Sequence, residues 1–423
     1  MRVICVQWPN PSHLYPTVPL LWALQSQGHQ VLVTSHPDLG PAVRALGLDF
    51  AALDSPQWPA PKLGLEAYAE FDPPQAERDR YHQPLGLLSA DEVGLWDQVS
   101  SYIQIGVHIL HPPGRPSPTG ENLIQLCADW QPDLVLWEPA VISAPIAARL
   151  CGAAHARVLW GPDYLGWGYQ RLRTHTQDLA QANLTDPFHA ALAPLAAAHG
   201  IEVTEEILYG QATVDPGHPA LRLPCPGPTL PMRRIPYSGV RSLPDWADQT
   251  PHRPRLAISL GSSVRTHMVD QGPIGVVLEA VKDLDIDVVA TLNEDQLRGQ
   301  TLPANVQAVD YLPLNVLLPT CAAIIHHGGG GTFGAAVAHG TPQLIMPGSG
   351  GLEAHLYARL LQATGAGLRA ETQDGVETIA TAITTLLEDQ RLHTACAHLT
   401  EDWKLLTSPH HVATQLASLA PRP

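Results

Sequence analysis

A run of thirteen residues, Ala323 to Ala335, constrains the fold of this chain more than any other feature. It reads AIIHHGGGGTFGA, and the apolar stretch at its start, residues 322–325, predicts a short buried β-strand. His326 and His327 follow this strand, and four consecutive glycines lead from them into a helix that is predicted to begin near Thr332. The pattern predicts one strand–loop–helix unit of an α/β protein.

The glycine loop of this run predicts an anion site. Glycine allows positive φ and close approach of a ligand to the backbone. The first turn of a helix adds unpaired N–H groups and the positive end of the helix dipole, which together favour a phosphate or diphosphate. The two histidines add hydrogen-bond donors, so we predict a site for a diphosphate leaving group. The alternative is a tight turn in which the histidines only cap the end of the strand.

Composition excludes several classes of partner. The chain has 423 residues, which favours two domains, and a formal net charge of −16, which argues against nucleic acid or an anionic membrane surface. Any phosphate site must therefore be built locally, from backbone amides and a few side chains. No cofactor or metal site is predicted, because the 21 histidines are scattered without ligand spacing and no D-x-D run follows a predicted strand.

The cysteines and apolar segments predict a cytoplasmic protein. None of the six cysteines has CxxC spacing, so we expect free, buried thiols in a reducing compartment. No signal peptide is predicted, and no segment is long and apolar enough to predict a transmembrane helix.

Predicted strands and helices alternate in both halves of the chain. In the first half, strands are predicted over residues 2–8, 30–34, 133–137 and 155–159, and helices over 16–27 and 141–150. In the second half, further strands are predicted over 255–260, 287–291, 306–309 and 343–346, and helices over 274–282 and 352–364. Such alternation is typical of parallel, doubly wound sheets. The prediction is therefore an α/β chain with two Rossmann-like doubly wound domains that face each other across a cleft.

The predicted domain boundaries follow composition. Residues 1–214 and 255–405 form the two Rossmann-like domains, and the proline-rich segment 215–254 forms the linker between them. The last helix, 406–423, is expected to pack back on the N-terminal domain. Residues 54–125, rich in proline, aromatic and acidic residues, are expected to form loops and helices that shape a ligand cleft.

Six segments, in this order and spacing, resemble a known family over nearly the whole chain. They are SHLYPTVPLLWALQSQGHQVLVTS (12–35), PDLVLWEP (132–139), LWGPD (159–163), LPMRRIPYSGVRSLPDW (230–246), SLGSS (259–263) and LPLNVLLPTCAAIIHHGGGGTFGAAVAHGTPQLIMP (312–347). The chain resembles family 1 nucleotide-sugar-dependent glycosyltransferases with the GT-B fold, and among them bacterial antibiotic and macrolide glycosyltransferases that use deoxysugars. The resemblance implies an inverting, metal-independent transferase. Its nucleotide sugar, dTDP- or UDP-linked, would bind to residues 255–405, and a small hydrophobic natural-product aglycone would bind to residues 1–214.

His13 is the candidate catalytic base. It follows the first strand at the edge of the sheet where doubly wound folds bind ligands, and a histidine can take a proton from a hydroxyl group near neutral pH. In similar transferases the histidine at this H-x-x-P position is the general base, which Glu138 would orient; related enzymes often have Asp there. Helix capping by His13 and simple termination of a strand by Glu138 are the alternatives. Trp160 and Asp163 are candidates for the acceptor pocket.

The resemblance also implies a set of donor-binding residues. The diphosphate would be bound by Ser262, Ser263, His327, Gly329, Gly330 and Thr332, the nucleotide base by Tyr311 and Leu312, and the sugar by Glu353.

One departure from the family pattern concerns the sugar. Many members have an Asp-Gln or Asp-Thr pair where this chain has Glu353-Ala354, which suits an unusual deoxysugar or a weakened activity. Two alternatives therefore stay open: a nucleotide-sugar epimerase of the same fold, and a non-catalytic protein that binds nucleotide or aglycone. The sequence fixes neither the sugar, the aglycone and the linkage, nor whether a homodimer or an auxiliary activator protein is needed.

Overall fold

A computed structural model describes residues 1–53, 73–108, 110–111, 114, 117–239, 242–247, 249–261, 273–347 and 352–420. The chain divides into two compact units. The first comprises Met1–Met232 and Thr407–Pro423, and the second comprises Arg233–Leu406. Each unit contains one parallel β-sheet with helices between its strands, which confirms the prediction of two parallel-sheet α/β domains.

The first sheet has seven parallel strands in the order β3-β2-β1-β4-β5-β6-β7. The strands are β1 Arg2–Val6, β2 Gln30–Ser35, β3 Asp49–Ala52, β4 Leu134–Trp137, β5 Ala154–Val158, β6 Ala212–Asp215 and β7 Thr229–Pro231. The central strands β4 and β5 are buried along their whole length, as expected of parallel strands that are covered on both faces.

The helices of the first unit connect these strands. They are α1 Pro11–Leu14, α2 Val18–Ser26, α3 Gly40–Arg44, α4 Gln75–His82, α5 Ala90–Ser101, α6 Pro118–Trp130, α7 Ala144–Cys151, α8 Tyr164–Thr174, α9 Thr176–Gln181, α10 Pro187–Ala198, α11 Glu205–Tyr209 and, at the end of the chain, α18 Pro409–Ala417. A π-helical segment, Tyr102–His108, follows α5. Helix α18 contacts α2, where the Gln27 side-chain amide donates to the carbonyl oxygen of His410 (2.7 Å).

The second sheet has six parallel strands in the order β10-β9-β8-β11-β12-β13. The strands are β8 Arg255–Ser259, β9 Asp287–Thr291, β10 Val306–Val309, β11 Ala323–His326, β12 Gln343–Ile345 and β13 Gly367–Arg369. The helices are α12 Ile274–Val281, α13 Leu314–Leu317, α14 Gly330–His339, α15 Leu352–Thr364, α16 Gly375–Glu388 and α17 Gln390–Lys404.

The structure differs from the sequence prediction mainly at the edges of the sheets. The predicted linker 215–254 contains β7, which pairs with β6 and extends the first sheet. Proline is tolerated in such an edge strand, because its missing N–H group would face away from the neighbouring strand. In addition, the predicted helix 16–27 begins only at Val18, after the N-cap residue Thr17.

Two further predictions can be compared with the structure. Among the described residues, no helix is long and apolar enough to cross a membrane. All six cysteines are free, and three of them are buried: Cys5, Cys127 and Cys396.

Candidate active site

Both predicted sites lie where the strand order of a sheet reverses. In the first sheet β1 and β4 are neighbours, although residues 7–133 separate them in sequence. In the second sheet the corresponding neighbours are β8 and β11. Connections that leave such a pair in opposite directions open a crevice at the carboxyl ends of the strands. His13 follows β1, and His327 follows β11.

His13 is held by the short helix α1. The side chain of Asn10 caps this helix by accepting from the Ser12 N–H group (2.9 Å). The N-cap of α2 is Thr17, which has no side-chain cap hydrogen bond. His13 therefore caps neither helix, and the alternative of a purely capping histidine is wrong.

Glu138 lies directly beside His13. It follows β4, its N–H group donates to the carbonyl oxygen of Val6 (3.1 Å), and its Oε2 accepts from the Ala140 N–H group (3.0 Å). Its Oε1 lies 3.4 Å from Nδ1 of His13, with 16% of the histidine side chain and 1% of the glutamate side chain exposed. Among the described residues neither of these two atoms has a hydrogen-bond partner. Since Nδ1 faces the carboxylate, Nε2 is the nitrogen left for a substrate.

Trp160 covers the face of the same imidazole. The two rings are stacked, with their centroids 4.6 Å apart and their planes 19° from parallel. The ring of Tyr102 meets the indole edge-on, at 5.7 Å. The structure thus brings His13, Glu138 and Trp160 together, as three residues from three separate segments.

Asp163 lies in the interior of the first unit. Its Oδ2 accepts from NH2 of Arg157 (2.6 Å), and its Oδ1 accepts from NH1 of Arg157 (3.2 Å) and from the Gly166 N–H group at the start of α8 (2.9 Å). Both carboxylate oxygens are therefore used within the unit, and the side chain is 7% exposed. This position gives no support to the predicted contact of Asp163 with an acceptor.

In the second unit, His326 has a structural role. Its Nδ1 accepts from the Gly328 N–H group (3.1 Å), and its Nε2 lies 3.0 Å from Oε1 of Gln343 on β12. Burial lowers the pKa of His326 to about 3, so the ring is neutral. The alternative in which the histidines only cap the end of the strand therefore applies to His326 and not to His327.

His327 lies between two glycines. A Cβ atom at Gly261 would be 2.2 Å from Cε1 of the imidazole, and one at Gly329 would be 2.5 Å from Nε2. Ser259 pairs with His326 in the register of β8 and β11, which explains why the loop after β8 reaches His327. Burial lowers the pKa of His327 to about 4, and its Nδ1 has no hydrogen-bond partner among the described residues.

Helix α14 begins beside this imidazole. Its N-cap is Gly329, which has no side chain to accept from the first N–H groups of the helix. Gly331 is exposed, and an added Cβ there would meet no atom within 4 Å, whereas Gly330 and Thr332 are buried. Amides of the first turn and His327 can therefore serve an anion that approaches from the side of Gly331.

The carboxylate of Glu353, a residue of α15, lies beside the first turn of α14. Two of its partners, Tyr357 and Arg234, were missed by the sequence analysis. Tyr357 donates from its hydroxyl group to Oε1 of Glu353 (2.7 Å), and its ring stacks on Phe333 at 4.3 Å. A Cβ at Gly330 would lie 2.5 Å from Oε1 of Glu353. Burial lowers the pKa of Arg234, while Tyr357 and Glu353 act to raise it, so its guanidinium belongs to the same cluster. The only sequence signal for Arg234 is its place in the segment LPMRRIPYSG.

The remaining predicted residues fall into two groups. The hydroxyl group of Tyr311 donates to the Ser238 carbonyl oxygen, and Leu312 is buried in the hydrophobic core of the second unit, so only its backbone could contact a base. Ser262 and Ser263 lie outside the described residues. Within the described part of the chain, no group of three or more His, Cys, Asp or Glu side chains could hold a metal ion.

Sequence comparison matches both halves of the chain to one family. Residues 22–261 match the N-terminal domain of erythromycin biosynthesis protein CIII-like proteins, and residues 275–419 match the C-terminal domain. The aclacinomycin-T 2-deoxy-L-fucose transferase of Streptomyces galilaeus is 36% identical, in an alignment that covers 99% of this chain and 96% of that protein. The tylactone mycaminosyltransferase of Streptomyces fradiae is 34% identical, with 99% and 92% covered.

Structural comparison agrees with the sequence comparison. The crystal structure of the glycosyltransferase VinC in complex with dTDP superposes with a TM-score of 0.81. It is 33% identical to this chain, and the superposition covers 99% of each.

Proposed function

The chain belongs to the erythromycin biosynthesis protein CIII-like family of antibiotic glycosyltransferases, which have the GT-B fold, and we propose that it transfers a deoxyhexose from a dTDP-sugar to a hydroxyl group of a hydrophobic polyketide aglycone. The names of the two relatives support a deoxysugar, and the dTDP complex of VinC supports dTDP over UDP. The observation that carries the proposal is the pair formed by His13 and the buried Glu138, 3.4 Å apart at the reversal point of the first sheet.

In the proposed reaction His13 is the general base. Its Nε2 takes the proton of the acceptor hydroxyl while the hydroxyl oxygen attacks the anomeric carbon of the sugar. The new C–O bond forms as the bond to the diphosphate breaks, and dTDP leaves from the opposite face, so the configuration is inverted. Glu138 stabilises the imidazolium that forms and keeps Nδ1 of His13 directed toward itself.

The second unit would bind the donor. The amides at the start of α14 and His327 would accept the negative charge that develops on the leaving diphosphate. In this proposal these groups neutralise the leaving group without a metal, and the nucleotide sugar is a co-substrate instead of a resident cofactor. Turnover is therefore expected to be unchanged by a chelator such as EDTA.

Glu353 would accept a hydrogen bond from a hydroxyl group of the sugar. Its Oε1 accepts from Tyr357 (2.7 Å), and the guanidinium of Arg234 belongs to the same cluster. A single acceptor suits a sugar with few hydroxyl groups. The relatives named above are transferases, which gives no support to the alternative of a nucleotide-sugar epimerase.

Calorimetric titration tests the donor site. The wild-type protein and the variants His327→Ala and His339→Ala are titrated with dTDP, UDP and GDP. His339 lies at the other end of α14 and serves as the matched control. We expect dTDP to bind to the wild type and to His339→Ala and to lose most of its affinity for His327→Ala. Absence of binding to any of the three nucleotides by folded protein would overturn the donor assignment.

An assay of turnover tests the reaction itself. Several dTDP-deoxyhexoses are incubated with the protein and a panel of macrolactones and anthracyclinones, and products are detected by mass spectrometry. A mass gain equal to one deoxyhexosyl group is the expected result. Conversion of the donor to another sugar nucleotide in the absence of an acceptor would instead identify an epimerase.

A further inference from the structure

A buried ion pair joins the two ends of the turn between β5 and α8. Arg157 on β5 has no exposed surface, and it forms two hydrogen bonds with Asp163, the N-cap residue of α8 (2.6 and 3.2 Å). Asp163 also accepts from the Gly166 N–H group, which fixes the carboxylate relative to the helix (2.9 Å). The turn over residues 159–162 is thus tied at both of its ends.

The rest of the Arg157 guanidinium is also held. Its Nε donates to the Tyr209 carbonyl oxygen and to the Thr213 hydroxyl group, both at 3.1 Å, and its NH2 donates to Thr213 (2.8 Å). Breaking a buried, hydrogen-bonded ion pair by removing one partner leaves an uncompensated charge, which is strongly destabilising. The interior of the unit therefore anchors both ends of the turn.

Trp160 occupies the middle of this turn, three residues from each member of the pair. Its indole stacks on the His13 imidazole at 4.6 Å, and Tyr102 contacts the indole edge-on. A ring stacked on one face of an imidazole opposes rotation about the bond that joins the ring to its Cβ atom. A face-on indole also stabilises an imidazolium by a cation–π interaction.

We propose that Trp160 is a positioning residue for the transfer reaction, through which the buried Arg157–Asp163 pair sets the plane of the His13 imidazole. With the ring in this plane, Nδ1 remains beside Glu138 and Nε2 is presented to the acceptor. The assignment rests on the proposed role of His13 as the base, but the stack itself can be tested without any substrate.

Two substitutions of Trp160 separate positioning from acceptor binding. Trp160→Leu removes the aromatic face, and Trp160→Phe retains one. Because a positioning residue affects the chemical step, we expect Trp160→Leu to lower kcat by about tenfold, with the KM for the dTDP-sugar unchanged. This loss is smaller than the contribution of about 10²–10⁴-fold that general acid–base catalysis makes as a whole, because the base itself is still present. Trp160→Phe should recover most of this loss. A rise in the KM for the aglycone alone, with kcat unchanged, would overturn the proposal and make Trp160 an acceptor contact only.

The second measurement uses the free protein. Long-range nitrogen–proton NMR spectra distinguish the two tautomers of a histidine, and the signals of His13 are assigned by comparison with His13→Gln. We expect one tautomer, with the proton on Nδ1, in the wild type and in Trp160→Phe, and a mixture in Trp160→Leu. Identical His13 signals in all three proteins would contradict the proposed role of the stack. This result stands even if the transferase assay finds no activity.

A third variant tests the ion pair. Asp163→Asn keeps the size of the side chain and its ability to cap α8, but removes the charge that pairs with Arg157. We expect the His13 signals of folded Asp163→Asn to move in the same direction as those of Trp160→Leu. Signals like those of the wild type in the folded variant would show that the turn does not depend on the pair, and would overturn that part of the proposal.

Discussion

Each unit places a histidine at the reversal point of its sheet, His13 after β1 and His327 after β11, and the surroundings of the two histidines are opposite. His13 faces the buried carboxylate of Glu138 at 3.4 Å and carries an indole on its face. His327 faces glycines, with Gly261 and Gly329 so close that neither position has room for a Cβ atom. Its pKa is lowered to about 4 by burial, so it is neutral near pH 7.

The difference shows that the neighbours of a histidine decide its chemistry. A carboxylate beside Nδ1 stabilises the imidazolium, which suits a group that takes up a proton during a reaction. Glycines have no side chain and so leave backbone amides accessible near the ring, which suits a neutral hydrogen-bonding group beside an anion. The parallel-sheet topology explains where each histidine lies, and the residues of the adjacent strand explain what it can do.

The largest expected effect separates the two histidines by their roles in the reaction. His13→Gln should lower kcat by about 10²–10⁴-fold, the usual contribution of a general base, and should leave the affinity for dTDP unchanged. Steady-state kinetics and calorimetry measure the two quantities. If His13→Gln weakened dTDP binding as much as His327→Gln does, the assignment of separate roles to the two histidines would be wrong.

A smaller effect is expected from adding one methyl group beside His327. Gly261 has φ +77°, and a Cβ atom there would collide with the imidazole of His327. We therefore expect Gly261→Ala to displace the ring and to weaken dTDP binding by about tenfold or more. A tenfold loss of affinity corresponds to about 1.4 kcal/mol of binding free energy. Gly299→Ala is the matched control, because Gly299 has φ +78° but no atom within 4 Å of an added Cβ. Calorimetry should show unchanged affinity for the control. Equal losses in both variants would assign the effect to backbone strain instead of to the contact.

The neutral histidines of the second unit also predict a pH dependence of stability. The pKa values of His326 and His327 are lowered to about 3 and about 4, below the value of about 6.5 in an unfolded chain. Between these values the unfolded chain binds more protons, so the free energy of unfolding falls as the pH drops from about 6.5 toward 4, by up to about 1.4 kcal/mol per pH unit for each group. His326→Asn removes one such group and should reduce the slope.

Urea unfolding at pH 7, 6 and 5 measures this slope for the wild type and for the variant. The difference between the two proteins isolates His326 from the carboxylates and from other histidines, including His111, whose pKa burial also lowers to about 3. Parallel curves for the two proteins would mean that His326 does not remain neutral in the folded chain.

The smallest effect is expected at Glu353, the carboxylate of the second unit. Tyr357→Phe removes the hydrogen bond to Glu353 but keeps the ring that stacks on Phe333. The loss of one such bond is expected to cost about 1 kcal/mol and to raise the KM for the dTDP-sugar by a few fold, without the large loss of kcat expected for His13→Gln. Tyr81→Phe, which removes a hydroxyl group from the first unit, is the control and should leave this KM unchanged.

The sequence predicted the positions of the sites better than the contacts within them. His13 and Glu138 could be paired from sequence because they follow β1 and β4, and the ends of neighbouring parallel strands meet at one edge of a sheet. Arg234 and Arg157 could not be identified as partners of Glu353 and Asp163, because they come into contact through packing and strand register that residue spacing does not reveal. Tyr357 could have been, because it lies four residues after Glu353 on the predicted helix 352–364. The strands β3, β6, β7 and β13 were also missed: each has only three or four residues and lies at or next to a sheet edge, where no long apolar run marks a strand.

The return of the chain to the first unit for its last helix has a practical consequence for making hybrid proteins. Since α18 contacts α2 through Gln27 and His410, a chimera joined to a relative by a single crossover near residue 232 would carry a final helix from the wrong parent. A second crossover near residue 406 restores the native partner of α2. Residues 233–406 are thus the natural segment for exchanging the second unit between relatives.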